Sequence, residues 1–281
     1  VTSAEEQPVL PKGNNLSLHL LELFTSRVAK VGMTDGIRQV LQEESDALRA
    51  YYEQAGILIA RPAGGTSCRL AISAKGGTNA ENHNHNDVGS YAVALGSETM
   101  VGDQGGPNSY PGDYFNGDAP QKYKIKGSFG HPVPVVDGRT QSSGGKAKGV
   151  VLQKEFTNEK DVFSIDYTSA YSTPNLDKLI RTFVYDRQGK GSFTVGDEFT
   201  AKTPIRFETA ITTRADWKIL DDTHLLLATD SEQMIVAIEA SGKVAFTSET
   251  IEVNSPAYTR IGIALKNQSK EGYIRLKMYT K

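Results

Sequence analysis

KLIRTFVYDRQGKGSFTVGDEF, residues 178 to 199, alternates apolar and polar side chains on both sides of Arg187-Gln188-Gly189-Lys190. A period of two puts every second side chain on one face, so each half reads as a strand with one buried side. The glycine-bearing turn joins the halves into an antiparallel hairpin. SYAVALGSETMVG, residues 90 to 102, repeats the arrangement around Leu95-Gly96-Ser97-Glu98.

The same texture continues from Gly56 to the end of the chain. GILIAR, CRLAISA, HPVPVVDG, KGVVLQKEF, DVFSIDYTS, IRFETAITT, HLLLAT, QMIVAIEA, KVAFTSETIEV, RIGIALK and GYIRLKMYT are short runs rich in Val, Ile, Thr, Tyr and Phe, divided by Gly, Asn, Asp and Pro. About a dozen strands of this kind predict a mainly β fold, a large antiparallel β-sandwich, over residues 56–281. Upstream, a polar lead-in over 1–14 precedes two helical patterns. Leu16, Leu20, Leu23, Phe24, Val28 and Val31 follow helical spacing between an Asn15 cap and a Gly32 stop, and Ile37, Val40, Leu41, Leu48 and Tyr51 do so between Thr34 and Gly56. This helical segment, 1–55, is too small to bury its own apolar stripes and must dock on something else.

Thirty-one basic against 33 acidic residues leave no net field to draw in nucleic acid or an anionic membrane. No apolar run approaches the roughly 20 residues of a membrane-spanning helix. The single cysteine, Cys68, lies in a strand pattern and reads as a small buried hydrophobe. One segment breaks the strand rhythm: GPNSYPGDYFNGDAPQ, residues 106 to 121. So long a loop in a compact domain is more often functional than idle.

Chemistry concentrates in ENHNHNDVGSY, residues 81 to 91. His83 and His85 are one residue apart, and on an extended strand both rings would point to the same side. Asp103 follows the next hairpin, and His131 opens HPVPVVDG. Two imidazoles and a carboxylate suit zinc or another first-row divalent ion, and Asn84, Asn86 and Asp87 are at hand to anchor the free ring nitrogens. The same ligand types also build the facial triad of non-haem iron oxygenases, so that enzyme class stays open, as does a non-catalytic carbohydrate-binding or scaffold sandwich with a structural metal. His19 and His224 lack such neighbours and read as structural.

The stretches AKGGTNAENHNHNDVGSYAVALGSETMVGDQGG, 74–106, and GSFGHPVPVVDGRTQ, 127–141, resemble the C-terminal half of the heparinase II/III-like polysaccharide lyases. The resemblance rests on a lysine-glycine stretch at 75–77, the H-x-H-x-D run at 83–87, the aspartate-glycine segment at 103–105 and the later histidine at 131. It extends over most of residues 50–215. It implies a β-sandwich joined to an α/α toroid, of which 1–55 would be a remnant. It implies a zinc ion on His85, Asp103 and His131, with His83 facing the sugar as the catalytic ring. Asn82, Asn84, Tyr110, Tyr114 and Arg139 would bind substrate, with Lys124 flanking them. The reaction implied is β-elimination on an acidic, uronic-acid-containing polysaccharide or oligosaccharide, in the periplasm or outside the cell. The missing part of the toroid is the implied partner, and an oligomer stays open.

Overall fold

The computed structural model describes residues 47–281, apart from 82, 104, 108 and 254. Its strands are all paired antiparallel and form three sheets, so the fold is mainly β as expected. The first sheet has the order β1 (Arg49–Tyr52), β2 (Ile57–Ala60), β3 (Leu70–Lys75), β5 (Tyr91–Leu95), β6 (Glu98–Val101). The largest runs β13 (Asp216–Asp221), β14 (His224–Ala228), β15 (Gln233–Ala240), β18 (Ser269–Thr280), β11 (Ser192–Ile205), β10 (Leu176–Asp186), β9 (Lys160–Asp166), β8 (Gly144–Phe156), β4 (Gly77–Asn79). The third is β16 (Val244–Val253), β17 (Ser255–Leu265), β12 (Phe207–Thr213), β7 (Val135–Val136).

One hydrophobic core draws from all three sheets. On β10 the buried residues Leu179, Arg181, Phe183 and Tyr185 alternate with half-exposed ones, as the period of two requires. Phe163, Phe183 and Phe193 stack across β9, β10 and β11, with ring centroids 5.9 and 6.1 Å apart. Each such ring, removed from water, contributes about 2–3 kcal/mol. Both hairpins form where the sequence places them. In the tighter one Leu95 pairs with Glu98, and Gly96 takes φ +61°, a left-handed value that glycine adopts without strain.

Three strands were not legible. Residues 49–52, inside the second helical pattern, form β1 instead: pairing with ILIA supplies backbone hydrogen bonds, and Tyr51 packs on Phe156 and Phe163 at 5.6 and 5.7 Å. Tertiary pairing overrides a helical spacing that carried only five apolar positions. Residues 53–56 form the turn between β1 and β2, so the described part of the second pattern, 47–56, is not helical; residues 1–46, with the rest of both patterns, lie outside the described residues. Strands β4 and β13 are too short or too exposed to show a period. Conversely, HPVPVVDG is strand only at Val135–Val136, because its prolines cannot donate to a ladder. Apart from residue 108, which is not described, residues 106–118 form the expected long loop, which leads into the single turn of helix α1 (Ala119–Lys122). Cys68 is buried, as read. No described helix is long and apolar enough to cross a membrane.

The feature of the core that bears on the site is Arg181. Its guanidinium binds Asp197 through two hydrogen bonds of 2.7 Å and donates from Nη1 to the carbonyls of Gly89, at 2.7 Å, and Pro132, at 2.8 Å. Tyr167 and Thr209 complete the satisfaction of Asp197, at 2.6 and 2.7 Å. One fully buried cation therefore holds the loop that follows His85 and the residue that follows His131.

Candidate metal centre and adjoining cavity

Residues 83–87 are not a strand. His83 takes φ +58°, a left-handed value, so the chain turns at this residue and the two rings separate: His83 is exposed, while His85 points inward. The rings do not share a side because the segment is not extended. Its backbone is fixed from below. The Asn86 N–H donates to the Lys126 carbonyl at 2.9 Å, the Asn86 amide to Ser143 Oγ at 3.0 Å, and the Asp87 N–H to Asn79 Oδ1 at 3.0 Å. Gln141 receives the Val88 N–H at 3.1 Å and returns a bond to its carbonyl at 2.7 Å. Asn86 and Asp87 therefore anchor backbone, and the Asp87 carboxylate pairs with Lys75, rather than either holding an imidazole.

His85, Asp103 and His131 converge. Their ligand atoms lie within 4.8 Å of one another, with the two imidazole centroids 5.2 Å apart. Asp103 follows β6 directly, where Gly102 donates to the Thr212 carbonyl at 3.0 Å, and one of its oxygens accepts the Gly105 N–H at 3.0 Å. His131 follows a 3-10 turn at Ser128–Gly130. That turn needs glycine at 130, since a Cβ there would meet the Lys124 carbonyl at 2.3 Å.

The donor set fits a divalent ion. His131 Nε2 faces the Ile125 carbonyl at 3.0 Å and must carry a proton to donate to it. In the neutral ring Nδ1 is then a bare acceptor. Among the described residues it is buried without a hydrogen-bond partner, 3.2 Å from an Asp103 oxygen. Two acceptors at that distance require a cation between them, either a proton or a metal, and the separation is close to the ligand-ligand edge of about 3.3 Å that tetrahedral Zn–N and Zn–O bonds imply. Titration follows the same logic. Burial opposes charge on Asp103, but the neighbouring His131 outweighs it and holds the carboxyl far below the usual range. Burial likewise pulls His131 down, yet Asp103 raises it above the ordinary imidazole value. His85 is lowered to about 4 by burial and by His131, so it is neutral and ready to ligate. Its Nε2 shares a hydrogen bond of 3.1 Å with the Tyr114 hydroxyl.

His83 stands apart from this cluster, against Phe115 with centroids 4.7 Å apart, at the edge of a cavity of about 310 Å³. Asn84, Asn86, Asn116 and Lys126 line the same cavity. The structure thus brings His83 and Asn84 together. Tyr110 is exposed and packs on Tyr114 at 5.0 Å, whereas Tyr114 is buried and spends its hydroxyl on His85. Arg139 is exposed in the turn after β7 and does not line the cavity. Lys124 pairs with Glu249 on β16. Asn82 and His19 lie outside the described residues. His224 bonds to Asp221 and Thr223 at an exposed turn, consistent with its structural reading. Sequence reasoning missed Phe115 and Lys126; in KIKG nothing but burial separates Lys126 from Lys124.

No family model matches the chain, and no curated protein does. Solved structures do. Heparinase III superposes with a TM-score of 0.65 at 17% identity, over 83% of this chain and 36% of that one. Heparan sulfate lyase HepC from Pedobacter heparinus superposes with a TM-score of 0.68 at 14% identity, over 86% of this chain and 39% of that one. At such identities the likeness is one of fold. The chain spans less than two fifths of the length of these structures.

Proposed function

We propose that the chain is the β-sandwich part of a polysaccharide lyase that cleaves a uronic-acid-containing glycan by β-elimination. The observation that carries this reading is the division of labour between two adjacent histidines. His85 turns inward to join Asp103 and His131 in a buried donor set, and His83 turns outward to a polar cavity. The fold it shares with heparinase III and a heparan sulfate lyase supports the same assignment.

In β-elimination the C5 proton leaves, the C4–O bond breaks toward the departing sugar oxygen, and a C4–C5 double bond forms. The departing oxygen takes a proton. The C5 proton is weakly acidic until donors offset the uronate charge, and an imidazole is suited to proton transfer near neutral pH. We assign that transfer to His83, which alone of the motif's rings reaches the cavity. Asn84, which lines the cavity, and Tyr110, which packs on the cavity residue Phe115, are assigned to meet sugar, and Arg139 to a more distant part of the chain of sugars. His85, Asp103 and His131 would hold a zinc ion. Bound there, the ion would supply fixed positive charge that locks three loops in place beneath the cavity. A helical toroid packed over this face would complete the cleft, and the periplasm or the exterior is where such a substrate would be met.

The test is the chain, alone and together with a separately supplied helical toroid domain of a heparinase-like lyase, incubated with alginate, heparan sulfate and other uronates. Ultraviolet absorbance of the new double bond is expected with at least one of them. Sugar binding without any such absorbance would instead favour a carbohydrate-binding scaffold.

A further inference from the structure

We propose that the cavity beside His83 is a receptor for one anionic group of the glycan, a carboxylate or a sulfate, and that Lys126 is the cation that seats it. The identity of the ligand as a sugar rests on the lyase reading; the anion receptor itself does not.

The lysines of this segment differ in one respect. Lys122 pairs with Asp113 and Lys124 with Glu249, both at the exposed surface. Lys126, two residues further, is 6% exposed and has no carboxylate within ion-pair distance among the described residues. Its ammonium donates to the Tyr114 carbonyl and lies 4.8 Å from the ring centroids of both Tyr114 and Phe115. One of three donors is thereby used, and the rings offset part of the desolvation. Glu81, the one acidic residue lining the cavity among the described residues, is exposed and accepts from Thr78 at 3.1 Å. A buried, unneutralised ammonium is among the costliest groups a protein keeps, and burial alone pulls its pKa down. An incoming anion would supply the missing charge. Asn84 lines the same cavity, and its buried Oδ1 has no hydrogen-bond partner among the described residues. The ammonium, with two donors uncommitted, is the group on this wall that an anion would complete. The cavity's volume, about 310 Å³, admits one sugar ring.

The experiment follows the Lys126 Cε resonance in the wild-type chain while pH is raised, with sodium sulfate, an unsulfated 1,4-linked hexuronate trisaccharide, or a neutral trisaccharide added separately. At least one of the two anions is expected to move the Lys126 titration upward, and the neutral sugar to leave it in place. Which anion acts distinguishes carboxylate from sulfate. Calorimetry adds variants: Lys126→Gln is expected to weaken binding of the effective anion by about tenfold or more, and Lys126→Arg to retain it. If neither anion moves the titration, the proposal is overturned, even where lyase activity is found. If sulfate moves it while no uronate binds or is cleaved, the receptor stands and the lyase reading falls.

Discussion

His131 Nδ1 and an Asp103 oxygen face each other at 3.2 Å, and the ring's other nitrogen is already committed to the Ile125 carbonyl. The pair must share a cation. Without metal that cation is a proton, which is why Asp103 raises the His131 pKa. Loading with Zn2+ below the raised His131 value should therefore release a proton from His131, while His85, at about 4, is already neutral near pH 7 and releases none. Calorimetry in buffers of different ionisation enthalpy should show a proton release that shrinks as pH climbs through that value. Zinc affinity should rise with pH until it passes the raised His131 value and then level off. In the metal-free chain the sign is opposite: the His131–Asp103 contribution to stability is full below the ordinary imidazole pKa and disappears as pH climbs through the raised one.

Removing a donor should remove the ion and its stabilisation together. His85→Ala, Asp103→Asn and His131→Ala should each lower bound zinc, measured by elemental analysis, and cancel the thermal shift that zinc gives the unsubstituted chain. At a free concentration one hundred times Kd that shift corresponds to about 2.7 kcal/mol.

Tyr114→Phe deletes only the hydroxyl that meets His85 at 3.1 Å. The ring and its packing on Tyr110 and Tyr123 stay. Groups that orient a ligand in this way are worth about 10- to 100-fold in metal affinity. Competition against a zinc chelator should show a loss of that size with little change in the metal-free melting temperature.

His83→Ala should separate chemistry from the metal. Elimination, followed by ultraviolet absorbance, is expected to fall by about 10²–10⁴-fold, with zinc content unaltered because His83 is outside the donor set. Equal activity in the variant would remove His83 from the reaction.

Arg181 joins the core to the two histidine loops. Arg181→Met leaves Asp197 buried without its charge partner and frees the carbonyls of Gly89 and Pro132. A loss of about 3–5 kcal/mol is expected in chemical denaturation, together with weaker zinc binding. Replacing both partners at once, Arg181→Met with Asp197→Leu, should recover part of the stability but not the zinc affinity, since the loop anchors remain absent.

The sheets could be read because a period of two in segments such as 178–199 reports directly on which face is buried, and Gly96 and Gly189 mark turns that favour left-handed residues. The donor set was legible through the ordering of His85, Asp103 and His131 against a familiar pattern, not through spacing. Short pairings were not: β1 exists because β2 offers it an edge, which is a property of neighbours rather than of Arg49–Tyr52. Orientation was also hidden. Tyr110 and Tyr114 look equivalent in the loop, yet one is exposed and the other holds His85; the same is true of Lys124 and Lys126. Alternation within a loop has no sheet to refer to, so only the folded environment assigns inside and outside.

The left-handed backbone at His83 carries a consequence for how this chain would drift under selection. A side chain with a Cβ costs about 1–2 kcal/mol in that conformation, and glycine does not. A library screened for heat tolerance alone should enrich Gly, with Asn next, at position 83, while one screened for growth on the glycan should keep His. The two outcomes would show an imidazole retained at the expense of thermal robustness.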